Sequence, residues 1–158
     1  MRKALRSPVL ALVLIVVSAG TALATISSGL SASILSRGTV AEKVHFNTGE
    51  VKFQTKESVD LVTQTITFAA PSSTGWHAHP GVVLVTVASG SVVRYDEHCS
   101  PKVYTAGSAS SAFIESGDHA GLVRNEGAGP AVVYVTYVVP QGTSVLRIEK
   151  ANPDCPQS

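Results

Sequence analysis

The stretch that decides the fold is Gly75-Trp76-His77-Ala78-His79-Pro80-Gly81-Val82-Val83-Leu84-Val85-Thr86-Val87-Ala88-Ser89-Gly90. His77, His79, Gly81, Val83, Val85 and Val87 share one parity, and the residues from Val82 onward are rich in β-branched side chains. In an extended chain, residues two apart project from the same face, about 6.6 Å from one another. Read as a strand, the stretch sets two imidazoles side by side at the head of an apolar inner wall. Two imidazoles on one face suit a shared metal ion.

Working outward, short β-branched and aromatic runs alternate with turns rich in Gly, Pro, Ser and Asn. Strands are expected at 39–46, 51–55, 59–68, 82–87, 91–95, 102–104, 110–115, 121–124, 131–139 and 145–149. Past the N-terminal segment, no window of about 11 residues or more keeps apolar positions at helical spacing. The domain is therefore expected to be all-β, and many short strands punctuated by turns suggest a sandwich or a barrel. An immunoglobulin-like sandwich is disfavoured, because Trp76 precedes both cysteines instead of lying between them.

The ends of the chain speak to its compartment. Arg2, Lys3 and Arg6, an apolar run over residues 9–19 and the small-residue site Ala22-Leu23-Ala24 are the parts of a secretory signal peptide, residues 1–24. An uncleaved anchor over 9–26 is the alternative, since about 18 uncharged residues are the lower limit for a span. Either way the domain is expected to be secreted or extracytoplasmic, in the periplasm or cell envelope. Residues 25–36 read as a serine-rich linker, 37–150 as the β-domain and 151–158 as a C-terminal tail.

Removing 1–24 takes away three of the 12 cationic side chains and none of the 11 acids, so the formal charge moves from +1 to −2. With no basic cluster left, nucleic acid is not expected as a partner. Two cysteines in an exported chain, Cys99 and Cys155, are expected to form a disulfide that ties the tail to the 95–101 loop.

The residues from Gly75 to Gly90 resemble the first motif of the cupin superfamily, in which H-x-H is followed four residues later by Glu and then by Gly. Here Val83 stands where that pattern has glutamate. The second cupin motif resembles the segment from Gly107 through Glu115 and Gly117, followed by His119 and Asn125. The family histidine falls four before the asparagine, which is Gly121 in this chain, while His119 lies two residues earlier. The resemblance implies a double-stranded β-helix, the jelly-roll barrel of the cupins.

It also implies a site. His77 and His79 are the expected metal ligands, with His119 as a third only if a bulge or bend makes up roughly 7 Å along the strand. Glu115 or Asp118 could fill in, and Gln64 is an inward polar residue needing a partner. Gln64, Trp76 and Val83 are the expected pocket residues, Trp76 at the barrel mouth. His45 and His98 read as ordinary.

Imidazoles without thiolate suit Zn, Fe, Mn, Ni or Cu. The leading expectation is an exported cupin-domain protein binding a divalent transition metal and a small molecule. The alternative is a metal-free small-ligand-binding or structural envelope module on the same barrel. An enzyme on this scaffold would be a metal-dependent oxygenase or isomerase; no nucleophile motif or phosphate loop is present. The barrel also admits a homodimer.

Overall fold

A computed structural model describes residues 25–156 of the chain; the expected signal peptide at 1–24 lies outside the described residues. Twelve strands follow one another: β1 (Ser28–Val40), β2 (His45–Asn47), β3 (Lys52–Gln54), β4 (Val59–Ser73), β5 (His77–Ala78), β6 (Val82–Ser89), β7 (Ser91–Asp96), β8 (Pro101–Thr105), β9 (Ala112–Glu115), β10 (Gly121–Asn125), β11 (Ala131–Pro140) and β12 (Ile148–Glu149).

All but β2 and β3 belong to one antiparallel sheet that folds back on itself. The 15-residue β4 is the fold line. Its first part pairs with β1 on one side and β11 on the other, and its last part, Ser72 and Ser73, pairs with β10. One wall runs β1-β4-β11-β6-β9. The other runs from β12 through β5 and β10 to β7 and β8. This is the double-stranded β-helix barrel that the resemblance implies. β2 and β3 form a separate hairpin.

Alternation fills the barrel. Val83, Val85 and Val87 on β6 point inward as their parity predicts, against Val133 and Val135 of β11, Phe68 of β4 and Val92 of β7, all buried. A second, smaller cluster lies on the outside of the other wall, where Trp76, Tyr95 and Leu122 are covered by Cys155. The expected Cys99–Cys155 disulfide is present, with Cα atoms 5.4 Å apart. Asn152 braces the tail by bonding both the N–H and the carbonyl of Cys155.

Two expectations about the elements need correction. Residues 28–36, read as part of a linker, are the start of β1, and the barrel begins there, before residue 37. β1 is an edge strand held by its ladder to β4, and most of its small side chains stay exposed, so it carries little of the apolar alternation by which strands are recognised. The run 39–46 is two elements, because the chain breaks between Val40 and His45 to enter the hairpin. Of 145–149, only Ile148–Glu149 pairs as a strand.

Candidate metal centre

His77 and His79 stand on and just beyond β5, which is held in the second wall by Gly121 of β10 on one side and β12 on the other. Both imidazoles are buried, and their rings meet edge to face with centroids 4.8 Å apart. Each ring is oriented by a backbone carbonyl: His77 Nδ1 lies 2.9 Å from Gly75 O, and His79 Nδ1 lies 2.7 Å from Leu146 O. A carbonyl only accepts, so Nδ1 carries the proton in both rings and donates it. Nε2 is left as the free nitrogen, the arrangement in which metal-binding histidines are normally held.

The third member is Glu115. It sits at the end of β9 directly across the ladder from Val83, the position at which the cupin pattern carries its glutamate. The carboxylate thus reaches the cavity from the neighbouring strand. The same side chain also occupies room left by the second motif. A Cβ placed on Gly121, where the family histidine would stand, would lie 3.1 Å from Glu115 Oε1.

One ligand atom from each of His77, His79 and Glu115 lies within 4.8 Å of the others, and all three residues are buried. Among the described residues this is the only such group.

Electrostatics fit the grouping. Burial, with help from the Arg147 charge, pulls His77 from 6.5 down to about 4, so its imidazole is neutral near pH 7 and Nε2 offers a lone pair. Burial pushes the Glu115 carboxyl up, but the His79 hydrogen bond, the histidine charges and Arg94 together outweigh it and bring the carboxyl to about 2. Glu115 is therefore ionised. Arg94 Nε donates to Glu115 Oε1 at 2.9 Å, and Glu115 Oε2 lies 3.2 Å from His79 Nε2. Since His79 Nδ1 already carries a proton, the gap between Nε2 and Oε2 requires either a second proton or a cation. The donor set of two imidazole nitrogens and one carboxylate oxygen fits a divalent transition metal.

Space lies on both sides of the group. Inward is an apolar chamber of about 40 Å³ bounded by Val83, Val85, Phe113, Val133 and Val135. Outward, a mouth of about 490 Å³ is lined by Gln64, Thr74, Tyr137, Ser144, Leu146 and Arg147, within the range of small-molecule sites. Gln64 has its partner: the Tyr137 hydroxyl donates to Gln64 Oε1 at 2.8 Å. Burial and the Glu115 charge raise the Tyr137 phenol to about 12, so it remains a donor. Tyr134, on the opposite face of the same strand, is exposed.

Other expected residues fall elsewhere. Val83 is fully inside, on the inner chamber. Trp76 is not at the mouth: the alternation that turns His77 inward turns Trp76 outward, where the tail buries it and its backbone carbonyl accepts from Lys150 N–H. His119 is not brought to the group. It lies in the turn before β10, exposed, with Nδ1 2.9 Å from Glu97 Oε1, because inward pairing resumes only at Gly121. Asp118 is beside it on the surface. Arg94 carried no sequence signal beyond its inward parity with Val92.

No family model matches the chain, and no curated protein matches it. Among solved structures it is similar to an RmlC-like cupin from Shewanella frigidimarina, at 16% identity and a TM-score of 0.48 over 75% of this chain and 86% of that one. It is similar to the cupin 2 domain of an XRE family transcriptional regulator from Enterobacter cloacae, at 16% identity and 0.46 over 72% and 100%. It is also similar to an oxalate oxidase bound to glycolate, at 18% and 0.43 over 49% of this chain, which spans only 41% of the oxidase. The all-β barrel of this chain, with His77 and His79 at its wall, has the fold class that the motifs led one to expect.

Proposed function

We propose that this protein is an exported cupin that binds a divalent transition metal through His77 Nε2, His79 Nε2 and Glu115, with the mouth cavity admitting a small molecule beside it. The observation that carries the reading is the pair of Nδ1–H···O=C bonds, which leave neither Nε2 engaged by the backbone and set both in one buried group with the Glu115 carboxylate. The Cys99–Cys155 bridge supports the export half of the reading, because disulfides persist in oxidising compartments.

Three protein ligands leave coordination positions open, and two histidines with one carboxylate are the donor set of non-haem iron oxygenases as well as of catalytic zinc. Bound there, the ion would supply Lewis acidity and, if redox-active, one-electron chemistry. The chain's own residues do the rest. Leu146 O and Gly75 O fix the ring nitrogens, Arg94 holds Glu115 Oε1, the valines keep bulk water from the inner side, and Tyr137 with Gln64 presents polar groups to a ligand entering the mouth.

A second reading has its own observation. Arg94, Glu115 and His79 form an unbroken chain of contacts that is complete if a proton sits on His79 Nε2, so the barrel could serve as a metal-free binder of a small ligand. Elemental analysis of the purified protein after exposure to Zn, Fe, Mn, Ni and Cu separates the two. Near-stoichiometric metal that disappears in His77→Ala supports the metal centre. No retained ion in the wild-type protein discards it in favour of the binder.

A further inference from the structure

The mouth cavity of about 490 Å³ has a one-sided chemistry. Of the described residues that line it, Arg147 is the one charged at every ordinary pH, and none is acidic. Ala32 of β1 and Ile66 of β4, partners in the ladder, form with Leu30 an apolar flank, and Val145 and Leu146 add to the apolar lining.

Two of its polar side chains are held in place with donors left open. Glu149 holds Arg147 by one edge of the guanidinium, accepting from Nε at 2.5 Å and from Nη2 at 2.8 Å, and Glu149 itself is not part of the lining. A guanidinium carries five N–H donors in a planar fork. The other edge, Nη1 with the second N–H of Nη2, has no hydrogen-bond partner among the described residues. Gln64 is fixed in a similar way. Its Oε1 accepts from the Tyr137 hydroxyl at 2.8 Å, which leaves its amide N–H groups without a partner among the described residues.

We propose that the mouth takes a small carboxylic acid with an apolar body, its carboxylate on the open edge of Arg147 beside the Gln64 amide and its carbon skeleton along Leu30, Ala32 and Ile66. The inference rests on the reading of the mouth as a small-molecule site and is independent of the metal. A guanidinium edge offers two parallel N–H groups that match the two oxygens of a carboxylate, so Arg147 favours such a head over a neutral one. Glu149 already fixes the plane of the fork, which lowers the ordering cost of binding. The Glu149 side chain is half exposed, so solvent screens it from a second carboxylate on the same guanidinium. The apolar flank then rewards a body, at about fourfold in affinity for each CH₂ buried.

The test is isothermal titration calorimetry of the purified protein with isocaproate, isocaproamide and acetate, before and after exposure to metal. The wild-type protein is expected to bind isocaproate in both states. The amide, which lacks the charge, and acetate, which lacks the body, should each bind at least about tenfold more weakly. Arg147→Gln should weaken isocaproate binding by about 10- to 100-fold, and Arg147→Lys, which keeps the charge without the fork, should fall between, with circular dichroism confirming the fold of each. A wild-type protein that does not bind isocaproate overturns the proposal. So does equal affinity for the acid and its amide, or an Arg147→Gln protein that binds the acid as the wild type does, the result expected if the head group sat on the ion alone. Elemental analysis of the same samples reports on His77, His79 and Glu115 separately, so a failed metal centre and a failed carboxylate site are told apart.

Discussion

The two sides of the candidate metal centre are built on different principles. The histidine side carries the cupin-like H-x-H pair and leans on backbone: Gly75 O and Leu146 O fix the rings, and β12 pairs with β5 beneath them. The carboxylate side departs from the pattern at both of its positions, Val83 and Gly121, and leans on side chains: Glu115 arrives from the facing strand and Arg94 holds it. A carboxylate on β9 can therefore reach the space beside the Val83 position of β6, since neighbouring strands lie about 4.8 Å apart.

The sharpest way to break this comparison is His79→Ala, which removes the one residue that touches both sides. Metal retention measured by elemental analysis should fall more than about 100-fold, and Glu115 loses a partner as well. Retention close to wild type would mean that the histidine side is not where metal is held.

Acid should act next most strongly, and on the histidine side first. His77 folds with a pKa of about 4 against an ordinary value of 6.5, so the unfolded chain binds the extra proton at higher pH than the folded one. The metal-free protein is therefore stabilised above pH 6.5, and that stability is lost as pH falls toward 4, by up to about 3 kcal/mol. Glu115, lowered to about 2, extends the decline from about 4.5 downward. Melting curves between pH 7 and 4 should show the loss for wild type and a much flatter profile for His77→Asn. Parallel profiles would show that His77 is not buried neutral.

Cys99→Ser releases the tail that roofs Trp76 and continues from β12, so it weakens the histidine side from outside the barrel. A loss of about 2 kcal/mol in denaturant unfolding under oxidising conditions is expected, with none of that difference left in reductant. Arg94→Lys tests the carboxylate side most gently. It keeps the charge but loses the planar guanidinium at Glu115 Oε1, and metal affinity should fall by about tenfold without loss of the fold. An unchanged affinity would mean that Glu115 needs no second hold.

Much of this was legible in the sequence where one strand's own alternation was enough. The inward valines at 83, 85 and 87 and the paired histidines follow from parity alone, as does the side on which Gln64 lies. Trp76 shows that parity also corrects an expectation, since a residue beside an inward histidine in an extended strand must point away from it. The N-terminal part of β1 was illegible because small, exposed residues on a ladder-held edge look like linker. Glu115 was visible as a spare acid, but its place opposite Val83 depends on β9 being the neighbour of β6, a fact of topology that no single strand records. His119 had the right residue type and the wrong position, and the turn carries it to the surface.

The C-terminal tail ties the outside of the barrel to its inside. The bridge at Cys155 anchors a segment that runs back through Lys150, bonded to Trp76 O, and β12 to Leu146, whose carbonyl selects the tautomer of His79. With both thiols reduced, that segment would lack its covalent anchor. The bridge between two sulfurs outside the barrel thus holds in place a carbonyl that orients an imidazole inside it.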